Sequence, residues 1–190
     1  KKIFTMVLFF ASVSAWAQTL TLTQSFNEPA AGDVEKTVAL DSSGYAVQVP
    51  INITGPNSNW NFDKLKTASN PALSTILTPS AVPAASAYPS CNLVQDDGGF
   101  YTFLKSVATP TTRTELLGFN IAVGTVSLSN TAITALYPIS AGSTFSDAAS
   151  GSITFSGTTY PITGKVSYTA DGTGTLTLAN GFIFKNVIRL

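Results

Sequence analysis

No histidine occurs anywhere in the 190 residues. That absence removes Ser-His-Asp and Cys-His catalysis, imidazole-ligated zinc and the commonest general base near neutral pH. Cysteine is nearly absent as well. Cys91 stands alone, so no intramolecular disulfide can form and packing must hold the fold in an oxidising compartment. Its bland role is that of a small buried hydrophobe rather than a reactive thiol. Charge is scarce: Asp, Glu, Lys and Arg together make up 11% of the chain, against about 25% in ordinary globular proteins. No basic patch stands out, which argues against a nucleic-acid partner. Nor does any run after Gln18 supply the ~18 consecutive apolar residues of a membrane helix. The longest stretch, Leu116 to Leu128, is interrupted by Gly118, Asn120 and Gly124.

What is there begins with an address. Lys1 and Lys2 form a basic start, Ile3 to Phe10 an apolar core, and Ala15-Trp16-Ala17 a small-x-small cleavage signature, so residues 1–17 read as a secretory signal peptide. The expected mature protein starts near Gln18 and is secreted or held at the cell surface, with no membrane span once the leader is removed. No cysteine follows the cleavage site, so the acceptor of a bacterial lipoprotein is missing. Without Lys1 and Lys2, eight basic residues face ten acidic ones, a net of −2. About 173 residues remain, enough for one domain, 18–190, with a sizeable core. Ser and Thr make up roughly a quarter of the chain, a usage that suits strands and turns of an extracellular β-protein.

Alternation is the dominant pattern. Tyr45, Val47, Val49, Ile51 and Ile53 are all odd-numbered, which over nine residues means one buried and one wetted face. The turn Asp41-Ser42-Ser43-Gly44 precedes them. Strands are likewise predicted over Phe100 to Leu104, Leu116 to Val126, Ser152 to Phe155, Tyr160 to Tyr168, Gly174 to Leu178 and Phe182 to Ile188. Turn dipeptides and triplets separate them: Asp97-Gly98-Gly99, Ser156-Gly157, Ala170-Asp171-Gly172 and Asn180-Gly181. The last two predict a three-stranded antiparallel meander from Pro161 to the C-terminus. Its final strand is still in pattern at Leu190, so a longer parent protein is expected. Between Asn57 and Asn92 four prolines, with Pro56 just before them, break the pattern and predict a long irregular excursion. Trp60, Phe62, Leu73, Ile76, Leu77 and Tyr88 supply the apolar area to pack it on the rest.

The expected fold is therefore all-β: an antiparallel β-sandwich, jelly-roll-like in one version, with residues 57–92 laid on one face or end. A closed eight-stranded barrel is the rival, disfavoured by short segments and by the Pro-rich stretch.

With histidine chemistry closed, a carboxylate pair of the kind used on glycosidic bonds is the catalytic option left. It would be drawn from Glu28, Asp33, Glu35, Asp41, Asp63, Asp96, Asp97, Glu115, Asp147 and Asp171, most of which sit in predicted turns. Asp96 and Asp97, before Gly98-Gly99, offer two carboxylates to Ca²⁺, far short of the six to eight oxygens calcium takes, and a structural turn is the plainer reading. No cofactor is otherwise expected. Trp60, flanked by Asn59 and Asn61, is the best candidate for stacking a sugar ring, with Tyr101 as a second aromatic. The competing reading makes Trp60 a core residue.

Asn59-Trp60-Asn61-Phe62-Asp63, Leu136-Tyr137-Pro138-Ile139, Gly142-Ser143-Thr144-Phe145-Ser146-Asp147, and the run from Ala170-Asp171-Gly172-Thr173-Gly174 through Asn180-Gly181 to Asn186-Val187-Ile188-Arg189 together resemble a β-rich module of secreted Bacteroidota proteins. In that family the module follows the signal peptide and precedes a C-terminal type IX secretion sorting domain, which this chain does not contain. The resemblance implies export to the surface or medium, a β-rich fold and no established activity. The expectation is thus a non-catalytic module for adhesion, surface architecture or display of a partner domain, with a glycan or surface partner. A carbohydrate-binding module using Trp60 is the first alternative and a carboxylate-dyad glycoside hydrolase the second.

Overall fold

A computed structural model describes residues 20–41, 43 and 52–190. The leader and most of the Tyr45 to Ile53 strand lie outside the described residues, as do parts of the turn before it. The first elements are β1 (Thr21–Leu22), the one-turn helix α1 (Gln24–Asn27), β2 (Val34–Thr37) and β3 (Leu40–Asp41). Then come β4 (Gly55–Asn61), β5 (Lys66–Thr67), β6 (Ala72–Leu77), β7 (Leu93–Asp96) and β8 (Tyr101–Val107). The second half contains β9 (Arg113–Ile121), β10 (Gly124–Leu136), β11 (Ile139–Ser140), β12 (Thr144–Phe155), β13 (Thr158–Thr169), β14 (Gly172–Thr177) and β15 (Ile183–Arg189). With 59% strand and 9% helix, the chain is an all-β sandwich.

The larger layer is an eight-stranded antiparallel sheet of order β13-β12-β10-β9-β8-β7-β6-β2. From β6 to β10 it follows the chain, each strand beside the next. Tight turns make this cheap: Ser156 and Gly157 both have positive φ, 48° and 81°, the geometry that matches the twist of a two-residue hairpin. That turn registers twelve pairs, from Phe155 opposite Thr158 to Thr144 opposite Thr169. The sheet is open, since among the described residues β13 and β2 are its two edges and do not pair. Neighbours distant in the chain are β2–β6, β3–β5, β1–β11 and the parallel pair β4–β14.

Two strand expectations change. Leu116 to Val126 is not one strand but the tip of the β9–β10 hairpin, turning at Ala122 and Val123 with Ile121 opposite Gly124. Apolar alternation runs across the tip, and so conceals the turn. The C-terminal meander is also different. β13 does not pair with β14; the chain crosses at Ala170 and Asp171 to a second sheet of order β15-β14-β4, in which β14 is antiparallel to β15 and parallel to β4. Gly174 makes this close approach possible, because a Cβ there would lie 1.8 Å from the Ser58 carbonyl oxygen. The Asn180-Gly181 turn does connect an antiparallel pair, β14 and β15, closed by a 2.8 Å bond from Leu178 N–H to the Phe182 carbonyl.

The Pro-rich excursion is more regular than expected. Its first part holds β4, β5 and β6, while Pro79–Ala81 and Pro83–Ala87 are short 3-10 turns. The second part is a lid of side chains on the sheet: Val82, Ala85 and Tyr88 join Val94, Phe103 and Leu117 in the main core cluster. Tyr88 fits because residue 118 is glycine; a Cβ there would stand 2.6 Å from the tyrosine ring. A second cluster, Tyr137, Ile139 and Ala170, is closed by Ala135 and Tyr168 of the large sheet, Leu22 of β1 and Ile188 of β15. Among the described residues, no helix is long and apolar enough to cross a membrane.

Candidate functional site

Trp60 does not present a stacking face. Alternation along β4 turns Ser58 and Trp60 inward and Asn59 and Asn61 outward. The indole is 4% exposed, its ring lies against Gly172, and its Nε1–H donates to the Ile53 carbonyl at 2.8 Å. The flanking amides are thus separated from the aromatic by the strand itself. Tyr101 belongs to β8 of the other sheet, where it packs against the Val82–Leu117 cluster. The four residues form no common site, and the sugar platform expected at Trp60 is corrected to a core tryptophan.

Asp96 and Asp97 serve the β7–β8 turn. Asp96 Oδ1 accepts the Gly99 N–H at 2.8 Å, and Asp97 accepts the Ser74 hydroxyl and the Gln95 amide. Gly98 and Gly99 take φ of 72° and 97°, conformations a side chain would strain. The described residues contain no group of three or more His, Cys, Asp or Glu placed to hold a metal ion.

Of the ten carboxylates offered for a catalytic pair, Glu28, Glu115 and Asp147 are the better placed. Thr114 and Glu115 are consecutive in β9 and point to opposite faces. On one face Thr114 donates to Glu28 Oε1 at 2.7 Å, and Ser106 donates to the other oxygen of the same carboxylate. Gln24 adds bonds to Ser106 and to the Arg113 carbonyl, and Asn27 donates to the Tyr137 hydroxyl at 2.7 Å. Residues 24–28 are therefore strapped across β8 and β9 and onto Tyr137, just past the end of β10.

On the other face Glu115 is 6% exposed. Its Oε1 accepts Arg113 Nε at 2.6 Å, Lys105 lies 3.9 Å from Oε2, and Thr131 donates to Oε2 at 3.4 Å. A buried carboxylate is tolerable when neutralised in this way. One strand over, opposite Glu115, Ile133 donates its N–H to Asp147 Oδ2 at 2.8 Å. The β10–β12 register ends at Asn130 opposite Ser150, and this bond continues the contact between the two strands beyond it. Glu115 and Asp147 consequently border one open groove of about 330 Å³, with Arg113, Asn130, Thr131, Ile133 and Phe145 among its walls. Phe145 also borders a neighbouring depression of about 370 Å³ and stacks on Tyr168 at 5.4 Å. A Phe-x-Asp pair at Phe145 and Asp147, and an Arg-x-Glu pair at Arg113 and Glu115, were the available signals: period two puts each pair on one face.

Near the main cluster, burial pushes the Tyr88 hydroxyl and the Cys91 thiol above their ordinary values of 10.0 and 9.0. Cys91 Sγ donates to the Leu93 carbonyl at 3.0 Å and packs against the core, an inert setting for a thiol. No family model, curated protein or solved structure matches the chain.

Proposed function

We propose that this chain is a non-catalytic β-sandwich module, secreted or displayed at the cell surface, that serves adhesion, surface architecture or the display of a partner domain. The resemblance to Bacteroidota modules supports export by type IX secretion. One observation carries the non-catalytic reading: the most buried carboxylate, Glu115, is locked between Arg113 and Lys105. Both of its oxygens are taken up by Arg113, Lys105 and Thr131, so the carboxylate joins neighbouring strands instead of standing free toward a substrate. Asp147, Glu28 and Asp97 are similarly engaged in bonds that tie strands together.

The hydrolase reading has one observation in its favour, the shared groove of Glu115 and Asp147. Two strand spacings put their backbones about 10 Å apart. The test is a screen of the purified protein against soluble polysaccharides and glycosides by reducing-end release. No turnover is expected, and turnover abolished by Glu115→Gln would overturn the module reading. Export is tested separately, by locating the protein in cells with and without the type IX machinery.

A further inference from the structure

The geometry points to a binding site for a neutral linear oligosaccharide in the paired depressions that meet at Phe145, an inference that rests on the module reading and deepens it. Three polar atoms on the groove have no protein partner among the described residues: Arg113 Nη2, Asn130 Oδ1 and Asp147 Oδ1. Their sister atoms are all held. Arg113 Nη1 donates to the Thr111 carbonyl at 3.1 Å, Asn130 Nδ2 to the Ala148 carbonyl at 2.6 Å, and Asp147 Oδ2 accepts the Ile133 N–H. Each side chain is therefore fixed by one end with a donor or acceptor left over at the other. Such preorganisation lowers the ordering entropy lost on binding.

Beside these atoms stands an aromatic ring that is also fixed. Phe145 stacks on Tyr168, whose hydroxyl donates to the Leu136 carbonyl at 3.0 Å and accepts the Leu136 N–H at 3.3 Å. Phe145 is half-buried and borders both depressions, about 330 and 370 Å³. Each is near the lower end of the ~300–1,000 Å³ range of ligand pockets. Two shallow, open subsites sharing one ring suit a chain of rings passing over it, rather than a compact ligand enclosed in a cavity. A carboxylate acceptor, a guanidinium donor and an aromatic face are what the hydroxyls and C–H face of a pyranose need.

Charge selects the class. Arg113 and Lys105 balance Glu115 and Asp147, so the groove offers no net attraction to phosphate, sulfate or uronate. A neutral polyol satisfies the leftover donor and acceptors without burying an unpaired charge.

The experiment is isothermal titration calorimetry of the purified chain with neutral hexasaccharides of gluco, manno and xylo configuration, and with oligogalacturonate and a sulfated oligosaccharide as anionic arms. At least one neutral hexasaccharide is expected to bind with Kd between about 10 μM and 1 mM. Phe145→Leu keeps the volume but removes the ring face, and Asp147→Asn keeps an acceptor for Ile133 while turning a donor toward the groove. Each should weaken binding about tenfold or more with the thermal unfolding midpoint little changed. The inference falls if no neutral hexasaccharide binds below about 5 mM, if an anionic arm binds more tightly, or if both folded variants bind like the parent. Absence of binding without turnover leaves the module reading standing, whereas binding followed by cleavage keeps the site and overturns the non-catalytic reading.

Discussion

The rings of Tyr88 and Phe103 lie 4.0 Å apart and nearly parallel, at 17°, so that a residue of the Pro-rich segment becomes part of the sheet's core. The tyrosine hydroxyl passes beyond this stack to donate to the Val126 carbonyl at 2.6 Å. Tyr88→Phe leaves that buried carbonyl without its side-chain partner and is expected to cost about 1–2 kcal/mol in urea unfolding. Tyr88→Ala also empties the stack and should cost about 3–5 kcal/mol.

The same neighbourhood makes stability fall in alkali. Burial raises the folded-state values of Cys91 and Tyr88 above 9.0 and 10.0, so the folded chain retains protons that the unfolded chain loses. The stabilisation is complete below pH 9 and declines as pH rises, first through the thiol and then through the phenol. The urea midpoint should drop from about pH 9 upward, and Cys91→Ala should delay the onset. A thiol reagent at pH 8 should modify Cys91 slowly in the native protein and rapidly in urea.

Two glycines provide a matched pair. Gly174→Ala places a methyl group 1.8 Å from the Ser58 carbonyl oxygen and must separate β14 from β4, at an expected cost above about 3 kcal/mol. Gly164, in β13, has nothing within 4 Å of the corresponding position. Gly164→Ala should be neutral or stabilising by up to about 1 kcal/mol, measured by the same denaturation.

Glu28 holds the strap of residues 24–28 through two hydroxyls. Glu28→Ala should remove about 1–3 kcal/mol of local stability, seen as faster hydrogen exchange at the backbone of residues 24–28 and earlier proteolysis there. Exchange in the β12–β13 hairpin should be unaffected.

Glu115→Gln tests the locked carboxylate. It leaves the half-buried Arg113 short of its counter-charge, and an expected loss of about 1–3 kcal/mol follows, discounted for the exposure of Lys105. Glu115→Gln combined with Arg113→Gln should recover part of that loss, a coupling a double-mutant cycle reads directly.

Much of the strand inventory was legible in the residues. β12 and β13 each contain an expected strand, β8, β14 and β15 each overlap one, and the turns at Asp97–Gly99, Ser156-Gly157 and Asn180-Gly181 each join an antiparallel pair. Asp171-Gly172 misled because a glycine has two uses: it permits a turn, and it permits another group to come close. At Gly172 the second use holds, with the Trp60 ring 2.8 Å from where a Cβ would be. Of the two readings of Trp60, the core one holds. Amides on both sides suggested a polar surface, yet period two puts neighbours of a buried strand residue on the far side of the sheet. The groove at Phe145 was not legible, because Arg113, Asn130 and Asp147 come from three strands and only their pairing brings them together.

From the sequence alone came the chemistries closed to a chain without histidine or a second cysteine, and the alternation that makes it β, since both depend on which residues are present and on spacing along a few of them. Which strands became neighbours, that β14 runs parallel to β4, that Trp60 is core and that Phe145 borders a groove were decided only in three dimensions. A period of two specifies which side of a sheet a residue faces, but not which distant strand will lie beside it; that choice is made by close backbone contacts and core packing between segments more than a hundred residues apart.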